Sequence, residues 1–354
     1  MTKAFSYNAN PARIVFGAGA LRQLPQEAER LAVRRVLVLS TPGQAHLAAR
    51  CVELLAAQAA SVFTEAAMHV PADVARAACD EADARGADCV VAIGGGSTTG
   101  LGKAIALEQG LPVIAIPTTY AGSEVSPIYG VTEGGLKRTG RDPKVLPRVV
   151  IYDPELSLTL PLATTVTSAI NAIAHAAEGL YAPDGNPIVA LMAEEGIRAC
   201  AAALPPLQRD PRDVTARGDA LYGAWLCGTV LGSVTMGLHH KLCHTLGGSF
   251  NLPHAETHTV VLPHALAYNA AAAPEAMTRI ARALGGDDAP TAAQQLARVN
   301  GAPTSLAAIG MKAVDLDSAA ELATKTPYPN PRPLERAALR ELLQRAFDGA
   351  EPSA

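Results

Sequence analysis

The sequence predicts two domains: an α/β dinucleotide-binding domain with a Rossmann-like parallel sheet over residues 1–157, and an all-helical domain over 158–354. Three observations carry that expectation. Short β-rich runs alternate with helical patterns up to about residue 155, a glycine cluster sits at one strand-to-helix junction, and β-rich runs vanish beyond Leu160.

Taken in order, Gly17-Ala18-Gly19 makes a tight turn ahead of the first helix. The strand candidates are Val36 to Leu39, Ser61 to Phe63, Cys89 to Ile93, Val113 to Ile116 and Val149 to Tyr152. They are continuous apolar runs, as strands buried on both faces require. Between them lie amphipathic segments such as Val74 to Arg85, where Val74, Ala77, Ala78 and Ala82 recur at helical spacing. Prolines bracket a polar turn from Asp153-Pro154 to Pro161 and set the boundary. Long Ala/Leu-rich segments follow. One of them, Ala220 to Leu238, is uncharged and long enough to span a bilayer. Its four glycines, its hydroxyls and its run into His239-His240 favour a helix buried at the centre of the domain.

Composition excludes several classes. The chain has 354 residues, 49% of them hydrophobic, which is ample for a sizeable core and incompatible with disorder as the main state. Lys plus Arg total 29 against 33 Asp plus Glu, with no block of like charge, so neither nucleic acid nor a membrane surface is an expected partner. The six cysteines form no CxxC pair and lie mostly in apolar stretches. Together with an N-terminus lacking a basic segment and apolar core, they point to free thiols in a cytoplasmic protein.

Gly94-Gly95-Gly96-Ser97 follows the strand ending at Ile93 and precedes a helical segment. Glycines there let backbone N–H groups approach an anion, and the helix N-terminus adds partial positive charge, so a pyrophosphate fits. The spacing matches neither GxGxxG nor GxxxxGK[ST], and a plain strand-to-helix turn is the other reading. The next strand ends in Pro117-Thr118-Thr119, followed by Gly122-Ser123-Glu124. A second set of hydroxyls thus falls at the same carboxyl edge, where open α/β sheets bind ligands. Ser40 and Thr41 follow an earlier strand, at the position where an acidic side chain would select NADH over NADPH. No acid is present, so either cofactor is expected.

Of nine histidines, six (239, 240, 244, 254, 258 and 264) fall within one short stretch. His240 and His244 share a helical face, and His175 lies one turn after Asn171 on an earlier helical segment. Imidazoles so grouped suit metal ligation, proton donation or anion binding. His46, His69, His258 and His264 are expected to be ordinary polar residues.

The sequence resembles the iron-containing (group III) alcohol dehydrogenases in four places. These are Gly94 to Ser97, Pro117-Thr118-Thr119 with Gly122-Ser123-Glu124, the AxxHAxE run from Ala172 to Glu178, and His240-x3-His244 with Pro253-His254. The motifs keep the family's order and spacing over nearly the whole chain. Within the family, Ala67 to Pro71, the stretch from Gly94 to Ala106 and Thr139 to Pro143 look most like the members that reduce maleylacetate. The resemblance implies a dehydroquinate synthase-like fold with the site in the interdomain cleft, and a homodimer.

Two departures from the family pattern matter. The ligand positions of metal-dependent members fall on Asn171, His175, His240 and His254, with a neutral amide in place of a carboxylate; glycine stands at Gly100 where GGGSxxD has Asp. Asn brings no charge to offset a metal's dehydration, so no metal is expected, although a metal-dependent alcohol dehydrogenase stays open as the alternative. The resemblance implies NAD(P)H-dependent reduction of the C=C bond of maleylacetate to 3-oxoadipate, in aromatic-compound degradation. Enolate stabilisation and proton delivery then fall to His244 and His254, with His175, His239 and His240 lining the cavity. Arg141, Lys144, Lys241 and Arg332 are candidates for the carboxylates of this dicarboxylate substrate, and Tyr328 is a candidate to close the pocket.

Overall fold

The computed structural model describes Phe5, Tyr7, Ala9, residues 13–134 and residues 136–353. The chain divides into two compact units, Ala9–Leu160 and Pro161–Ala354.

The first unit contains strands β1 (Arg13–Phe16), β2 (Val36–Leu39), β3 (Ala59–Phe63), β4 (Cys89–Gly94), β5 (Val113–Pro117), β6 (Ile128–Glu133), β7 (Leu136–Arg141) and β8 (Val149–Tyr152). Its α-helices are α1 (Leu24–Arg30), α2 (Ala45–Leu55), α3 (Ala72–Arg85) and α4 (Gly96–Gln109). Six strands form one sheet in the order β1-β8-β5-β4-β2-β3, all paired in parallel. β6 and β7 form a separate antiparallel pair.

The period-two alternation of strand side chains assigns the helices to faces. Val36, Val38, Val91, Ile93, Ile114 and Ile116 pack with Leu24 and Ala28 of α1 and with Ala48, Cys51 and Leu55 of α2. The intervening Leu37, Leu39, Val90, Ala92 and Val113 pack with α3 and α4 through Ala78, Ala82, Leu101 and Ile105. Both faces are covered, which is why the strands read as unbroken apolar runs. From β2 the chain moves outward to β3, and from β4 it moves the other way to β5. The adjacent β2 and β4 therefore mark the point where strand order reverses, the place beyond whose carboxyl ends open α/β sheets bind ligands.

The second unit contains α5 (Leu162–Gly179), α6 (Pro187–Arg209), α7 (Val214–Ser233), α8 (Leu238–Phe250), α9 (His254–Asn269), α10 (Pro274–Leu284), α11 (Ala289–Val299), α12 (Leu316–Thr324) and α13 (Arg336–Asp348). It has no strand among its described residues. α5 is buried continuously from Thr165 to Gly179, so it is the central helix around which the functional side chains are arranged. α6 and α7 approach closely because Gly196 and Gly223 face each other's helix: a Cβ on Gly223 would lie 2.7 Å from the backbone nitrogen of Cys200.

The stretch from Ala220 to Leu238 is not one helix. α7 stops at Ser233, Asp184 accepts the backbone N–H and hydroxyl of Thr235, and α8 starts at Leu238. Gly237 at the break is tightly hemmed, since a Cβ there would lie 2.8 Å from the Pro329 carbonyl. No single helix among the described residues is long and apolar enough to cross a membrane; α7 and α8 together pass by length and composition only, and are bent by 96°.

Candidate active site

In the first unit, the glycine loop sits at the carboxyl end of β4. Gly94 has φ +152°, and a Cβ there would collide with Thr98 Oγ1 and lie 2.9 Å from Gln44 Oε1. Only glycine suits that backbone. Gly95 precedes α4 and offers no side-chain cap, leaving the first-turn N–H groups of this 14-residue helix for an external acceptor. The hydroxyls of Thr98 and Thr99 are buried and unpartnered. Thr118 Oγ1 accepts from Gln44 Nε2 at 2.9 Å, and a Cβ on Gly95 would meet Thr119 at 3.1 Å. This cradle of uncommitted N–H groups fits the pyrophosphate of a dinucleotide.

Two of the cofactor residues expected from sequence take other roles. Ser40 is fully buried and donates to the Thr41 carbonyl at 3.1 Å, so it braces its own turn and does not offer a hydroxyl to a ribose. Ser123 Oγ accepts from Lys103 Nζ at 3.2 Å. Lys103, on α4, is itself completely buried and also donates to the carbonyls of Ser126 (2.8 Å) and Ile128 (2.7 Å). Burial pulls its ammonium down to about 7, against the opposing pull of the Glu124 carboxylate. Glu124 is buried too and accepts from the Tyr152 hydroxyl at 2.8 Å. Lys103 thereby ties the helix that follows the glycine loop to the segment that follows Thr118 and Thr119.

In the second unit, α5, α8 and α9 bring the histidines together. Asn171, His175 and Glu178 lie on one face of α5 at spacings of four and three. The His240 ring is 5.1 Å from His175, 5.1 Å from His258, 5.3 Å from His239 and 6.0 Å from His244, centroid to centroid. His254 stacks against His244 at 6.5 Å and tilts over His258 at 4.4 Å. His175, His239, His240 and His258 are buried, whereas His244 and His254 are exposed. The cluster therefore has a sealed inner end and an open outer one.

Charge at the inner end is controlled by burial. Desolvation, reinforced by mutual repulsion, drives His175 and His258 far below the ordinary histidine range, and takes His239 to about 3. These rings are neutral at pH 7. Glu178 is the exception in charge: burial pushes its carboxyl up, but the hydrogen bond from His240 leads the opposing effects, which hold it at about 2. Its carboxylate accepts His240 Nδ1 at 2.5 Å and the His239 backbone N–H at 2.7 Å.

These residues do not fit a divalent ion. Asn171 contributes an uncharged Oδ1, buried and unpartnered. His175, His240 and His254 form no convergent donor group; among the described residues the one such trio of His, Cys, Asp or Glu is His239, Cys243 and His258. In that trio His239 Nε2 and His258 Nδ1 lie 2.9 Å apart, hydrogen-bonded to each other. Burial also raises the Cys243 thiol well above its usual range, so it is a neutral thiol in the protein without a metal.

The candidate substrate cations fall on both units. Arg141 ends β7 and Lys144 follows it in a short turn, both exposed on the first unit. Lys241, on α8, donates to Thr326 Oγ1 at 3.0 Å and stands 5.8 Å from the Tyr328 ring centroid. The Tyr328 hydroxyl is buried without a partner. Arg332 is held against the fold: its guanidinium lies 4.1 Å from the Tyr268 ring and donates to the Tyr268 carbonyl at 3.2 Å. His258, expected to be an ordinary polar residue, lies inside the cluster. Sequence reasoning also passed over Glu178, although the AxxHAxE run contained it, and Lys103, which sat inside a quoted motif.

Comparison with known proteins places this geometry. Residues 11–154 match the profile "Iron-containing alcohol dehydrogenase", and residues 165–347 match "Fe-containing alcohol dehydrogenase family, C-terminal". The chain is 64% identical to the maleylacetate reductase of Burkholderia cepacia over 350 residues, covering 99% of each. It is 57% identical to the crystal structure of maleylacetate reductase from Agrobacterium tumefaciens, with a TM-score of 0.96, covering 99% of this chain and 100% of that one. An iron-containing alcohol dehydrogenase from Corynebacterium glutamicum is 43% identical with a TM-score of 0.95, covering 100% and 99%. With a dinucleotide cradle on a parallel sheet, a histidine cluster on three helices, and matches along nearly its whole length, the chain belongs to the iron-containing alcohol dehydrogenase family and is an oxidoreductase.

Proposed function

We propose that this chain reduces the C=C bond of maleylacetate to 3-oxoadipate, using NADH or NADPH and no divalent metal. The observation that carries the reading is near-full-length identity to relatives named for that reaction. The histidine cluster supports it chemically. When bound, the nicotinamide supplies a hydride, which adds to the alkene carbon β to the ketone and leaves negative charge on the ketone oxygen. Gly94, Gly95, Gly96 and Ser97 hold the pyrophosphate of that cofactor on the N-terminus of α4, with Thr118 and Thr119 beside them. Thr41 and the rest of its turn carry no acid to repel a 2′-phosphate.

His244 and His254, at the open end of the cluster, hydrogen-bond the developing enolate and deliver the proton to the α carbon. The inner rings suit this task, since the neutral His175 and His239, with His240 beside them, line a polar volume without adding negative charge that would oppose an anionic substrate. Lys241 lies three residues before His244 on the same helical face and is the best placed of the candidate cations for a substrate carboxylate; Arg141 and Lys144 are further candidates. The reading carries with it a homodimer working in the cytosol during aromatic-compound degradation.

The test is NADH oxidation by purified protein with maleylacetate, with and without chelator, and product identification. Turnover to 3-oxoadipate is expected in both arms. Oxidation of NADH only with simple aldehydes and only with added iron or zinc would favour a metal-dependent alcohol dehydrogenase.

A further inference from the structure

Glu178 lies in α5 yet spends its carboxylate on the first turn of α8. Oε1 accepts the His239 N–H at 2.7 Å, and Oε2 accepts the His240 N–H at 3.3 Å and faces His240 Nδ1 at 2.5 Å. α8 needs such a partner, because its N-cap is Gly237, which has no side chain to cap with. Capping alone explains the two backbone bonds. It does not explain the third. An acceptor-only group on Nδ1 puts the proton there, whatever the state of the rest of the ring. His240 Nε2 is then the one ring atom left to exchange a proton, and it is buried with no hydrogen-bond partner among the surrounding imidazoles.

We propose that Glu178 is a positioning residue for the reaction, fixing His240 with its proton on Nδ1 so that Nε2 is presented to the histidine cluster. It touches neither substrate nor cofactor and acts through His240. Glu178 is the carboxylate against the His240 ring, whereas the buried His239 and His258 rings bond each other. His240 thereby differs from His239 and His258 in having its tautomer set by a charged acceptor, and its ring stands next to His244 at the open end. The inference rests on the reductase reading given above.

The experiment combines a spectroscopic and a kinetic arm. In wild-type protein carrying 15N-labelled histidine, with His240 assigned by loss of its signals in His240→Asn, Nδ1 is expected to be protonated at pH 7. An unprotonated Nδ1 overturns the proposal, and this result does not depend on the substrate. For kinetics, Glu178→Gln keeps an oxygen for the His239 N–H but turns an NH2 toward Nδ1, which reverses the tautomer. A fall in kcat of roughly 10- to 100-fold is expected, with KM for NADH within about threefold of wild type. The double variant Glu178→Gln/His240→Asn is expected to match His240→Asn within about threefold. An undiminished Glu178→Gln effect in the His240→Asn background, or no effect in wild type, means that Glu178 only caps α8. Should Glu178→Gln fail to fold, the wild-type spectrum decides alone. Absence of wild-type turnover with maleylacetate would reject the reductase reading instead, and is read separately.

Discussion

His239 Nε2 and His258 Nδ1 share one proton across 2.9 Å, and both rings are completely buried. Neither can gain a second proton without leaving a charge in a sealed volume. Burial lowers His175, His239, His258 and His264 from 6.5, with His239 at about 3 and His264 at about 4. Below pH 6.5 the unfolded chain therefore binds more protons than the folded one, and stability rises with pH through that window. It is fully present above about 6.5 and is lost as pH falls toward 3 to 4. The melting temperature is expected to drop by more than about 5 °C between pH 7 and pH 5. Calorimetry over that range checks it, and a flat profile would show that these rings are solvated or already charged.

Gly94→Ala tests the cradle. The new methyl group would collide with Thr98 and crowd Gln44, at a backbone φ of +152° that alanine avoids. The expected result is at least a tenfold rise in the NADH dissociation constant by fluorescence titration. An unchanged constant would place the dinucleotide elsewhere.

The parallel sheet was legible because each strand is buried on both faces and so needs no polar alternation. β1 and the β6–β7 pair were not: β1 is four residues beginning with Arg13 and partly exposed, and β7 carries Lys137, Arg138 and Arg141. The histidine cluster was legible by local crowding alone, since α8 and α9 are consecutive. The contacts of Glu178 and Arg332 were not, because each is made with a partner 61 to 64 residues away in sequence. The break at Val234 to Gly237 was equally hidden, since its cause is the carboxylate of Asp184 and the chain at Pro329.

Metal independence is expected because Asn171, one turn before His175 on α5, offers only a neutral buried oxygen. Turnover is expected to survive chelation with less than about twofold loss. Asn171→Asp is expected to raise divalent-metal affinity, read by calorimetric titration of the variant and wild type. Loss of turnover on chelation, restored by added iron or zinc, would refute it.

Cofactor choice is expected to be loose. The turn after β2 reads Ser40-Thr41-Pro42-Gly43, with no acid to bind ribose hydroxyls or repel a 2′-phosphate, and Ser40 faces inward. The kcat/KM values for NADH and NADPH should differ by less than roughly a thousandfold, about 4 kcal/mol of discrimination. A larger ratio would identify a selecting group outside this turn.

His244 and His254 are expected to matter to the chemical step and little to folding, because both are exposed and stacked on each other at 6.5 Å. A ring that donates to the enolate or relays its proton should contribute on the order of 10² to 10³ in rate. A buried ring that only packs behaves oppositely: its loss lowers stability and leaves turnover per folded molecule nearly unchanged. His258 serves as that internal contrast, being fully buried and bonded to His239. For His244→Ala and His254→Ala, kcat should fall by the stated factor while melting temperature and NADH affinity stay near wild type. For His258→Ala, melting temperature should fall first. If His244→Ala and His254→Ala retain near-wild-type kcat, the open end of the cluster is structural and the enolate must be held by another group on the helical unit, with Lys241 and Tyr328 the next to replace.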